Sequence, residues 1–198
     1  MTAQIPDTVV VDGLPHAVAA IDGDPLFEPA AYDIVPGPFH TGCYHGYVCA
    51  YAVEDDRLLL RELTLGPHAT AAGRPVAADT TIFGVPLAED LADGSFTAAP
   101  LRVELPFCGR LLAGRGFIRE LGVNMGFAPG WKYEQVVELV LDRGRVSERR
   151  DRSAEVAAIR LAILGGRLPD PDGDRRGKGW GARTLGLGYE RTFPPAEH

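Results

Sequence analysis

Apolar and polar side chains mostly alternate along this chain with a period of two. Leu101, Val103, Leu105 and Phe107 interleave with Arg102, Glu104 and Pro106. That is the pattern of a half-buried strand, and the proline places it near an edge. Thr8–Val11 is a β-branched run closed by Asp12-Gly13, a tight-turn dipeptide, and residues 16–21 read as its return strand. Residues 80–85 read as a short strand and residues 87–91 as a single helical turn broken by Asp93-Gly94. Residues 117–123 and 132–141 read as a strand pair, and Asp142-Arg143-Gly144 then turns the chain into a strand at 146–148.

The period lengthens once. Val156, Ile159, Ile163 and Leu164 share one side of a helix over 153–164, with Ser153 as its N-cap and Gly165-Gly166 as its end. The pattern predicts a mainly β fold: an antiparallel β-sandwich or short β-barrel of about eight to ten strands with one C-terminal α-helix packed on it. Residues 1–165 form the expected β-rich domain. Residues 166–198 are a glycine- and proline-rich arm whose Trp180, Leu185, Leu187, Tyr189 and Phe193 can dock it onto the body.

The richest chemistry lies in residues 43–65. A two-residue turn at Asp55-Asp56 pairs Val53 with Leu58, Tyr51 with Leu60, Cys49 with Glu62 and Tyr47 with Thr64. One face of this hairpin then carries Cys43, His45, Tyr47, Cys49, Tyr51, Glu62 and Thr64. The other carries Gly46, Val48, Ala50, Ala52, Leu59, Leu63 and Leu65, a small apolar surface against which the 153–164 helix is expected to pack. On the polar face His45 and Glu62 are the candidate catalytic acid–base pair, because imidazole titrates near neutrality and a carboxylate can fix its tautomer. Cys43, Tyr47, Cys49, Tyr51 and Thr64 are the candidate ligand-binding walls. The plainer alternative is a solvated sheet face, or a core histidine hydrogen-bonded to a tyrosine.

His40, Cys43, His45 and Cys49, with Cys108 as a further candidate, are residue types that ligate metals, but no paired Cys-x-x-Cys knuckle occurs. No metal and no cofactor is assigned. The loop at 124–131 is unusually apolar, and Phe127 and Trp131 join the ligand-binding candidates. They either plug one end of the barrel or sandwich or form a partner-binding tip. Glu134 and Glu138 stand four residues apart on a strand, roughly 13 Å along it, too far for an acid–base couple, so a solvated face is expected there.

Charge narrows the partners. Residues 1–142 hold 8 Lys+Arg against 19 Asp+Glu, and residues 143–198 hold 12 against 8. An acidic body argues against a nucleic-acid groove. No apolar run approaches the roughly 20 residues of a membrane span, and the first residues lack the pattern of a signal peptide. The 3 cysteines do not suggest a disulfide framework. A cytoplasmic location is expected, and the excess of arginine over lysine points to a bacterial coding bias. Gly114-Arg115-Gly116 lacks the third glycine of a dinucleotide fingerprint, Gly177-Lys178-Gly179 lacks the upstream glycine and the Ser/Thr of a phosphate loop, and no Gly-x-Ser-x-Gly elbow is present.

Two functional readings remain. One is a non-catalytic binding protein whose partner is a small-molecule ligand or another protein. The other is a small cofactor-free isomerase, cyclase or hydrolase that uses His45 and Glu62 in a barrel cavity.

Overall fold

The computed structural model describes residues 2–123, 125–173 and 179–194. Asn124 and the Gly177-Lys178 part of the second glycine motif lie outside the described residues. Seven strands close a ring: β1 (Thr8–Val11), β2 (Leu14–Gly23), β3 (Tyr47–Glu54), β4 (Arg57–Leu65), β5 (Gly109–Phe117), β6 (Tyr133–Asp142) and β7 (Arg145–Asp151). Their order round the ring is β4-β7-β6-β5-β2-β1-β3, and the β3–β4 hairpin returns to the start. All neighbours are antiparallel except β1 and β3, which run parallel with Val9 opposite Tyr51. The fold is thus mainly β, a short barrel with an α-helix outside it.

Local chemistry accounts for the hairpins. Asp12-Gly13, Asp55-Asp56 and Arg143-Gly144 all have positive φ at both positions. That is the geometry of two-residue turns whose twist matches their strands. The turn at 55–56 has the expected even length, and Val53 faces Leu58 and Tyr51 faces Leu60.

The ring is thinnest between β4 and β7, which pair only at Arg57 and Arg145. Above that point the free edge of β4 is covered by Val103–Glu104 and Ser95–Ala98, and Ala88–Asp90 adds a further strand outside them. Leu101, Leu105 and Phe107 are buried while Arg102, Glu104 and Pro106 are exposed, as their alternation predicts. Residues 88–90, expected within a helical turn, are extended because they pair with Ser95–Ala98.

Leu58, Leu60, Leu63, Leu65, Leu111, Leu139 and Leu141 fill the interior with Val9, Val11 and Val18, as side chains do in small barrels. The partner of β6 is Gly109–Phe117, not 117–123, which turns through a 3₁₀ segment. Three glycines had weakened the strand signal upstream, and one of them is required by packing. A Cβ on Gly114 would stand 2.5 Å from the Tyr133 ring.

Helix α1 (Ser153–Leu164) does not cover the β3–β4 hairpin. It packs outside β6, where Val156 is buried with Leu112, Trp131, Tyr133 and Val136. Arg160 clamps it there by donating to the carbonyls of Trp131 (3.1 Å) and Tyr133 (2.9 Å). Ser153 is the first helical residue, not the N-cap, and its hydroxyl accepts from the backbone N–H of Val136.

The end of the chain docks through a second short helix, α2 (Trp180–Leu185), and the segment after it. The Leu187 carbonyl accepts from Ile21 N–H at 2.7 Å. Arg191, 1% exposed, ties the arm down through both oxygens of Asp172 and the carbonyls of Gly186 and Phe127.

Candidate functional site at the barrel mouth

A cavity of about 420 Å³ opens at the end of the barrel where β1 and β3 begin and β2 ends. Several segments build it, among them the loop at 25–28 that follows β2. The residues preceding β1 are stitched to the turn preceding β3: Gln4 donates to the Thr41 carbonyl and accepts from Tyr44 N–H, and Ile5 N–H donates to the Gly42 carbonyl. That turn ends at Gly46, whose φ is +78° and whose Cα hydrogen faces the Gly37 carbonyl so closely that a Cβ would stand 2.2 Å from it. Phe127 and the stretch 185–188 of the arm supply a further wall.

Asp7 is the group that pattern reading missed. It sits one residue before β1, and the parallel pairing of β1 with β3 carries its carboxylate beside the start of β3. Oδ1 accepts from Cys49 N–H at 2.8 Å and Oδ2 from the Tyr51 hydroxyl at 3.2 Å. Loss of hydration raises its pKa to about 6, against the pull of those two hydrogen bonds. The only sequence signal is an acid directly before an apolar strand. Nothing local reveals which strand will lie beside it.

Cys43, His45, Tyr47, Tyr51 and Phe127 line the cavity with Asp7. Burial pushes the Cys43 thiol and the Tyr47 hydroxyl up and the Tyr51 hydroxyl well up, so all three are neutral near pH 7. His45 is at the rim with its ring stacked on Phe127 at 5.5 Å and 18°, and partial burial lowers its pKa. The Cys43 thiol donates to the Tyr47 carbonyl, and the Tyr47 hydroxyl reaches the Phe27 carbonyl at 3.4 Å.

The expected His45–Glu62 couple does not form. A β-bulge between Ala50 and Tyr51 shifts the β3–β4 register, so that Glu62 faces Ala50 and Cys49 faces Leu63. Glu62 is exposed on the outer face of the barrel. Thr64 shares that outer face, pairing with Val48 and hydrogen-bonding Thr97 at 2.9 Å. Leu63 and Leu65, expected outside, fill the core instead. Cys49 is buried in that core and reaches the site only through its backbone N–H.

Phe127 and Trp131 are both buried and part company. Phe127 walls the cavity, while Trp131 joins the layer under α1. His40 is committed to the turn, its Nδ1 accepting from Gly42 N–H. Among the described residues no group of three or more His, Cys, Asp or Glu side chains is arranged to hold a metal ion. All 3 cysteines are free.

A second buried carboxylate lies outside the cavity lining. Glu138, expected on a solvated face, is 0% exposed. Arg150 stands 3.2 Å from it, Arg152 3.7 Å and Arg110 4.0 Å. The arginines are covered in turn by aromatic rings of the arm, Arg110 by Tyr189 and Arg152 by Phe193.

Fold and site together define a small, closed β-barrel with an aromatic pocket at one mouth. Comparison with protein-family models, curated proteins and solved structures gives no match. Among the described residues no helix is long and apolar enough to cross a membrane.

Proposed function

We propose that this chain is a small-molecule-binding protein and that the mouth cavity is its site. The observation carrying this reading is the convergence of two carboxylates, Asp7 and Glu28, one imidazole and three tyrosines on a largely apolar cavity of about 420 Å³, beside a core of packed leucines and valines. Ligand sites have this size and composition, and barrel mouths are among their preferred places. With Phe127 and Trp131 both buried, the aromatic loop offers little to a protein partner.

The test is a fragment screen by ligand-observed NMR on the wild-type chain and on Leu187→Trp, which fills the cavity from the arm side. Binding that disappears in the variant, at an unchanged melting temperature, supports the reading. Fragments that bind both proteins alike, or none at all, overturn it.

A proton-transfer enzyme is the second reading, favoured by an Asp7 pKa of about 6. In that case Asp7 is the acid–base group that Glu62 was expected to be. Chemical conversion of a bound fragment by the wild type but not by Asp7→Asn distinguishes it from simple binding.

A further inference from the structure

We infer that the mouth pocket takes a small organic cation, an amine or quaternary ammonium, with its charge toward Asp7 and its alkyl body against the aromatic walls. This rests on the binding reading above and names its ligand class. The charges lining the cavity are one-sided: Asp7 within, Glu28 at the rim, and neither lysine nor arginine.

Asp7 has no cation of its own, since among the described residues its carboxylate enters no ion pair and is held by an amide N–H and a phenol alone. A carboxylate withdrawn from water and given only neutral donors keeps an unmet demand for positive charge. Glu138, the other buried carboxylate, by contrast has three arginines of this chain within 4.0 Å.

The walls suit the same guest. Phe27 meets Tyr47 at 6.3 Å and Phe127 stacks with His45, and all four rings line the cavity that Asp7 also lines. Such faces attract alkylammonium groups and gain most when water is excluded. Neutral His45 adds a wall without opposing charge. An anionic ligand would meet Asp7 and Glu28 with nothing to offset them.

The probe pair is choline and its uncharged isostere 3,3-dimethylbutan-1-ol, titrated by calorimetry at pH 7.5 and 5.0. Choline is expected to bind at least about tenfold more tightly than the alcohol, and Asp7→Asn to reduce that preference below about threefold. The groups facing Asp7 are Cys43, Tyr47, Cys49 and Tyr51, with Glu28 and His45 beyond them. Choline affinity should fall as pH drops through about 6 in the wild type and not in Asp7→Asn. A pH step that survives in Asp7→Asn would assign the effect to His45 and overturn the role of Asp7.

Equal binding of choline and the alcohol, or a preference indifferent to Asp7→Asn, overturns the cation class and leaves the binding reading standing. So does a screen in which neutral fragments enter the cavity while choline does not. If neither probe nor any fragment enters, both readings fall.

Discussion

Asp7 and Glu138 are two carboxylates withdrawn from water in one barrel, and the fold treats them oppositely. Glu138 lies on the outer face of β6, sealed beneath the arm and surrounded by Arg110, Arg150 and Arg152. Asp7 lies at the mouth, beside a cavity, with an amide and a phenol for company. In the first arrangement the charge is met within the chain by three arginines, although among the described residues Glu138 Oε1 and Arg152 Nε have no hydrogen-bond partner. The second is left open toward a space a ligand can fill. Burial is common to both. What sets Asp7 apart is a cavity beside it and the lack of a counter-charge among the described residues.

The contrast can be tested by removing the charges. The largest effect is expected at Arg191, the corresponding buried cation of the arm. Arg191→Leu leaves Asp172 and two carbonyls without their donor, and should cost about 3 kcal/mol in chemical denaturation. It should also loosen the wall at 185–188 and weaken pocket binding.

Glu138→Gln keeps the shape and removes the charge beneath three arginines. These are partly exposed and can turn to water, so about 2 kcal/mol is expected. Pocket binding should be unchanged, and a loss of binding would mean that the two carboxylates are not independent.

Asp7→Asn should behave in the opposite sense. The folded-state pKa of about 6 lies above the ordinary carboxylate value of 3.8. The folded protein therefore holds a proton between those pH values that the unfolded chain has lost, and stability from this group falls as pH rises from about 4 to about 6. Relative to wild type, Asp7→Asn should gain up to about 3 kcal/mol across that range and level off above it. Denaturation midpoints of both proteins at pH 4.5 and 7.5 measure this. A gain at low pH in place of high pH would contradict the burial account.

The smallest effect is expected at Glu62. Glu62→Gln should change stability by less than about 0.5 kcal/mol. It should leave the His45 titration followed by NMR where it was, because His45 lines the cavity and Glu62 is exposed on the outer face of the barrel.

Much of the scaffold is legible in local pattern. Asp12-Gly13 and Asp55-Asp56 announce their turns, the alternation through 101–107 assigns inward and outward residues correctly, and the spacing of Val156, Ile159 and Ile163 marks α1. Cys43, His45, Tyr47, Tyr51 and Phe127 were recognisable as a chemistry-bearing set, and they meet at one cavity. Strand 109–117 was harder to see, because its glycines answer to distant neighbours, Gly109 to the Asp22 carbonyl and Gly114 to the Tyr133 ring.

The site's acid was decided elsewhere. Counting by twos along β4 places Glu62 inward, and one extra residue at the bulge sends it outward together with Thr64. Asp7 reaches the cavity through a parallel pairing between segments some forty residues apart, and the arm closes the wall from the far end of the chain. Turns and side-chain periodicity arise from neighbouring residues, so the amino-acid order alone dictates them. Bulges, strand neighbours and the supply of counter-charge depend on which distant surfaces pack together, and only the folded barrel decides those.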